Sequence, residues 1–184
     1  MIGAEFAGNA STVRYSATRF TVDISGTFEE VVARYEQLVP QFSLPRLTHD
    51  LGQDPTWNAV ADWTSGQAPN GFLIYWRNVV HDLMRIAGDT SKCVSYLMGN
   101  HVTAERMYRH DPRVMNYAPL RVEITQREAE PVQFTAEIPS QQFGSFGDDR
   151  IAAVAMQLDE KLGALLVLLG ATVTRDLEHG FGLG

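Results

Sequence analysis

The residues most able to do chemistry sit at one corner. Gly99-Asn100-His101 follows an apolar run, Cys93 to Met98, and opens a polar helix-like segment that stops near Pro112. A glycine lets the backbone turn sharply off a strand end. The helix start beyond it presents free N–H groups at the positive end of the helix dipole. Such a corner can hold a carboxylate, a phosphate or a developing oxyanion. His101 titrates near neutral pH and stands where it can move a proton. Glu105, one turn on, can orient it, and Tyr96 on the preceding run can orient a ligand. In the plainer reading Asn100 only caps the helix and His101 is a solvated first-turn residue. One glycine is not a phosphate cradle.

Two further groups compete with this corner. His81, Asp82 and Arg85 fall on one side of a predicted helix, with His81 and Arg85 at i, i+4, as an anion clamp or proton relay would need. The same pattern describes the wet side of an amphipathic helix. Tyr75, Trp76, Tyr96, Tyr108 and Tyr117 would suit a planar organic ligand if they met at one apolar cavity, and would otherwise be packing residues. No metal site is expected: His101 and His110 are nine apart, and neither HExxH nor a cysteine pair occurs. Cys93 lies in an apolar run, where an inert thiol is the default. No GxSxG, Walker loop or GxGxxG is present, so no nucleotide cofactor is expected.

The surrounding elements follow from periodicity. Phe20, Val22 and Ile24 alternate with Thr21 and Asp23, which predicts a half-buried strand. Thr27 and Glu30 form a capping box ahead of a helix over 28–39. Residues 40–54 read as loop. Pro55-Thr56 opens a short helix carrying Trp57, Val60 and Ala61, and 65–71 is turn chemistry. Phe72 to Trp76 reads as strand. Asn78 reads as the cap of a helix whose buried stripe is Val79, Val80, Leu83, Met84 and Ala87, ended by Gly88. Arg121–Thr125 and Val132–Ile138 alternate around a polar loop and predict a β-hairpin. Residues 139–147 read as loop. A long helix from about Asp148 to Leu169 carries Ile151, Val154, Leu158, Leu162, Leu165 and Leu169 at core spacing. These elements predict an α+β fold: a mixed or antiparallel sheet of four to five strands, helices packed against it, and a long C-terminal helix.

The 184 residues, 45% hydrophobic and 20% charged, suit one domain over 13–171, with a loose arm at 1–12 and a tail at 172–184. A net charge of −7 argues against nucleic acid and against an anionic membrane surface. A single cysteine and no visible signal peptide point to a cytoplasmic protein. The longest apolar run, Leu162 to Ala171, is about half of a membrane span.

Tyr96-Leu97-Met98-Gly99-Asn100-His101, then Ala104 and Met107, then Ala118-Pro119-Leu120-Arg121-Val122, then Ile138-Pro139, together resemble the domain-of-unknown-function 302 family. That family shows a strand, a Gly-Asn-Pro turn, a helix and a Leu-Pro-Leu-like approach to a hairpin. The resemblance spans roughly 15–170 and is sharp over 96–139. It implies helices against a curved sheet, often as a dimer, and no general activity. One departure is local: His101 stands where the family has proline. Proline there would set the first helical turn; histidine is either a neutral replacement or a new functional group.

The expectation is a small-molecule-binding protein of specialised metabolism, with the ligand at Gly99–His101. If catalytic, it is a cofactor-free isomerase, cyclase or lyase using His101, Asn100 and Tyr96. Gly99, Glu105, Tyr75, Trp76, His81, Arg85 and Tyr117 would line the ligand. The alternative is a non-catalytic homodimeric sensor or carrier.

Overall fold

The computed structural model describes residues 11–171. Apart from Ser11 and Thr12, the expected arm at 1–12 lies outside them, as does the expected tail at 172–184. The strands are β1 Arg19–Ile24, β2 Leu73–Val79, β3 Lys92–Gly99, β4 Leu120–Gln126 and β5 Val132–Glu137. The helices are α1 Phe28–Leu38, α2 Leu44–Leu51, α3 Trp57–Gln67, α4 Val80–Met84, α5 His101–Tyr108, α6 Pro139–Gly144 and α7 Asp149–Leu169. Arg85–Ala87 and Pro112–Asn116 are single 3-10 turns.

The five strands pair antiparallel, in the order β1-β5-β4-β3-β2. Alternation decides which face is buried. Phe20, Val22 and Ile24 meet Ala136, Phe134 and Val132 on the core side, and Val122 and Ile124 continue the layer. Thr21, Thr135, Glu123, Ser95 and Asn78 form one transverse row on the other side. There the Thr21 and Thr135 hydroxyls bond at 2.9 Å.

α7 lays Ile151, Val154, Leu158, Leu162, Leu165 and Leu169 into the core as its spacing predicts. Asp148 caps it by accepting from Arg150 N–H, and Gly170 ends it at φ 90°. The Thr27–Glu30 capping box of α1 forms in both directions. No helix among the described residues is long and apolar enough to cross a membrane.

Four local readings change. Residues 44–51, expected as loop, are helical: Ser43 caps them, Pro45 falls in the first turn where its missing N–H costs nothing, and Leu47 is buried. Trp63 Nε1 donates to Asp50 at 2.9 Å and ties α2 to α3. α3 runs on to Gln67, past the expected turn at Ser65. Pro139 starts a short helix that buries Phe143, and Asp159 on α7 accepts from Ser140 N–H at 2.9 Å.

The fourth change bears on function. β2 continues through Asn78 and Val79 because β3 offers it a partner as far as Val94. Asn78 therefore caps nothing. What remains, Val80–Met84, is too short to bury a stripe, and Leu83 and Ile86 are 65% and 82% exposed. His81 instead turns inward. Its Nδ1 contacts the Cys93 carbonyl at 2.9 Å, and its ring meets the Phe28 ring edge-on at 5.6 Å.

Candidate functional site

The corner forms as its residues dictate, and then the protein closes it. Asn100 caps α5: its side-chain oxygen accepts from Val102 N–H at 2.9 Å and Thr103 N–H at 3.2 Å. Its Nδ2 donates to the Gly71 carbonyl at 3.1 Å. His101 N–H donates to the Tyr75 hydroxyl at 3.0 Å, and Ala104 N–H reaches the Asn100 carbonyl at 2.8 Å. The three free amides of the first helical turn, those of His101, Val102 and Thr103, are thus satisfied internally, and Ala104 makes the first intrahelical bond. The oxyanion role expected of Asn100 and these N–H groups is taken by the chain's own side chains.

Tyr75 reaches this place because β2 carries a bulge. The register shifts between Ile74 and Trp76, so Ile74 opposes Met98, Trp76 opposes Leu97, and Tyr75 is the extra residue. Its hydroxyl lies 2.7 Å from His101 Nδ1. On the other side of the ring, His101 Nε2 lies 2.7 Å from Thr64 Oγ1, whose own proton goes to the Val60 carbonyl at 2.7 Å. With a neutral imidazole, one proton arrangement satisfies every contact. Nε2–H donates to Thr64, and Tyr75 O–H donates to Nδ1 while accepting from His101 N–H.

The environment favours this neutral form. Burial lowers the His101 pKa from its ordinary value, and it pushes the Tyr75 phenol up to about 12. The Phe42 and Trp57 rings lie 5.2 and 6.5 Å from the imidazole. A protonated ring would leave Tyr75 accepting two hydrogen bonds, with its own proton in need of a new acceptor.

Both Tyr75 and His101 border a cavity. A hollow of about 350 Å³, almost wholly apolar in its lining, is walled by Tyr75, Gly99, Asn100, His101, Glu105, Tyr108, Met115 and Pro119. Gly99 sits in a tight place: a Cβ there would come within 3.3 Å of Pro119 Cβ, so the proline would have to give by a few tenths of an ångström. Glu105 is held at the wall by Arg109, whose Nε donates to it at 3.0 Å.

Of the sequence-predicted residues, Tyr75, Gly99, Asn100, His101, Glu105 and Tyr108 converge on this cavity. The others do not. Tyr96 lies in the core, 1% exposed, with its hydroxyl donating to Glu36 at 2.8 Å. It cannot reach a ligand in the hollow. Trp76, 46% exposed, lies beside Leu97 on the uncovered face of the sheet. His81 is committed to the Cys93 backbone, while Arg85 bonds Asp82 outside, so they make no clamp. Tyr117 lines a neighbouring cleft. Cys93 is raised to about 11, first by burial and then by Glu123. Among the described residues no three His, Cys, Asp or Glu side chains gather as metal ligands would.

Sequence reasoning missed Thr64, Phe42 and Met115. Thr64 is a mid-helix threonine with no local sign of its partner. Phe42 falls in a stretch read as loop, and Met115 in a proline-marked connection.

Comparison with known proteins accords with this architecture. The family model described as domain of unknown function DUF302 matches residues 53–169. The fold is similar to the crystal structure of a conserved DUF302 protein from Bacillus stearothermophilus, with a TM-score of 0.59 and 18% identity. The alignment covers 82% of this chain and 97% of that one. At that identity the likeness concerns the fold. No curated protein matches the sequence.

Proposed function

This chain belongs to the DUF302 family, and since membership brings a fold and no reaction, we propose from the site alone that it binds a small organic molecule beside His101 and moves one of its protons without a cofactor. The observation that carries this is the pairing of two residues of the cavity wall, Tyr75 and His101, through a contact of 2.7 Å between the Tyr75 hydroxyl and His101 Nδ1. A ligand proton passes to the Tyr75 oxygen as the Tyr75 proton passes to Nδ1. The ring becomes imidazolium, with Nε2–H still on Thr64. Return of the proton to a different ligand atom completes an isomerisation; loss of a leaving group completes a lyase step. This moves the ligand-facing role from His101 to Tyr75 and keeps His101 as the store of charge. The apolar lining favours an uncharged ligand of specialised metabolism with one hydrogen-bonding oxygen.

The test begins with native mass spectrometry and thermal-shift screening against metabolites, read by ligand-induced stabilisation. On the ligand so found, Tyr75→Phe keeps binding and loses turnover by about 10²–10⁴-fold, the usual size of a general acid–base contribution. Unchanged turnover in Tyr75→Phe, or in His101→Ala, rejects the mechanism.

A second reading, a non-catalytic carrier or sensor, is favoured by one observation: both imidazole nitrogens are already held by protein groups. In that case the ligand binds but exchanges no proton with deuterated solvent. The proposal retains a homodimer and a cytoplasmic location, checked by light scattering and by cell fractionation.

A further inference from the structure

A second cleft shares Pro119 with the cavity beside His101 and differs from it in chemistry. Two adjoining hollows make it, of about 220 and 630 Å³, joined through the residues common to both: Tyr15, Asn116 and Tyr117. The smaller hollow is polar and includes Arg121, Glu137 and Gln142. The larger adds Phe146 and Arg113.

Arg121 and Glu137 offset one another in formal charge in this cleft, but their hydrogen-bond partners differ. The Arg113 guanidinium is spent on Asp111, with Nε at 2.9 Å and a second bond from Nη2. The Glu137 carboxylate accepts from Gln142 Nε2. The Arg121 guanidinium makes no hydrogen bond or ion pair among the described residues, and neither does the Asn116 side chain. The cross-strand neighbour of Arg121 on β3 is Leu97, and the β4–β5 register continued by one residue sets Glu137 on its other side, with no ion pair between them among the described residues. An unpaired guanidinium in a cleft has a geometry matched to a carboxylate, since its fork of N–H donors meets two oxygens at once. Asn116, in the same lining, has a further amide donor.

The other end of the cleft is aromatic. The Tyr15 ring meets the Tyr117 ring edge-on at 5.8 Å, and Phe146 meets Tyr117 edge-on at 5.9 Å. Tyr15 is pushed up to about 12, first by its hydrogen bond with Tyr117, so its phenol remains uncharged at neutral pH. A planar ring fits such walls by further edge and face contacts. Glu137, in the same lining as Arg121, sets an upper limit on guest charge, because a second anionic group would meet its carboxylate.

We propose that this cleft is a binding site for an aromatic monocarboxylate, with its carboxylate on Arg121 and Asn116 and its ring against Tyr15 and Tyr117. The site is independent of proton transfer at Tyr75 and stands if that reading fails.

Calorimetric titration of the full chain with benzoate tests it, with benzamide as the uncharged isostere and isophthalate as the dianion. Benzoate binds saturably, benzamide and isophthalate bind at least tenfold more weakly, and Arg121→Gln weakens benzoate at least tenfold. Arg121 is exposed and its guanidinium makes no internal bond, so its variant keeps the parent's melting temperature. Should it not, Asn116→Ala decides, with several-fold weaker benzoate expected. Tyr75→Phe leaves benzoate binding unchanged. The proposal is overturned by absence of saturable binding, by equal affinity for benzoate and benzamide, or by a folded Arg121→Gln, or Asn116→Ala in its place, that binds benzoate as the parent does. Loss of binding in Tyr75→Phe also overturns it, because the guest would then occupy the other cavity.

Discussion

Replacing Tyr75 by phenylalanine removes one oxygen and breaks two hydrogen bonds at once. The ring remains, 5.0 Å from Phe42, so packing is conserved. What is lost is the acceptor for His101 N–H at 3.0 Å and the donor to His101 Nδ1 at 2.7 Å. Each part-buried bond contributes about 1 kcal/mol net, and an orphaned helix-start amide adds its own desolvation, so the variant should be destabilised by about 2 kcal/mol. For a chain of this size that is a fall of about 4–8 °C in Tm. A second signature separates this from a general packing defect. With its donor gone, neutral Nδ1 loses the hydrogen bond that favours it over the protonated ring, so the His101 pKa rises from its folded value while the burial that lowers it remains. Urea unfolding reads the first effect and an NMR titration of the His101 ring reads the second. A loss below about 0.5 kcal/mol, within ordinary surface-substitution scatter, together with an unmoved His101 titration, would show that the Tyr75–His101 pair does not exist in solution.

Stability should fall with acid through His101. Burial lowers its folded-state pKa, so below the unfolded value of 6.5 the unfolded chain binds more protons. This contribution is complete above pH 6.5 and is lost as pH falls toward the folded pKa. The loss cannot exceed about 1.4 kcal/mol per pH unit, and screening at a part-exposed ring reduces it to a fraction of that. Urea unfolding at pH 7.5 and 5.5 should therefore show a smaller acid loss in His101→Asn than in the parent; an equal loss counts against the neutral ring. Asn100→Ala should cost about 1–2 kcal/mol, because the cap on Val102 and Thr103 goes and the Gly71 carbonyl loses its donor. A variant as stable as the parent, measured the same way, would contradict the cap.

What the chain determined by itself is whatever depends on neighbours in sequence. The α7 stripe, the β4–β5 hairpin and the Thr27–Glu30 box follow from periods of 3.6 and 2 and from contacts three residues long. The place of the corner was legible for the same reason, since Asn100 caps residues two and three positions on. Tertiary structure decided what the corner can do. Tyr75 is 26 residues from His101 and Thr64 is 37, and a β2 bulge with no visible signal aims the phenol at the ring. The segment after β2 went wrong in the same way: pairing with β3 outweighed local helix signals and turned His81 inward. Hydrogen-bond partners so distant along the chain are chosen by the packing of whole elements. That packing is why an exposed-looking histidine became a half-buried, neutral one.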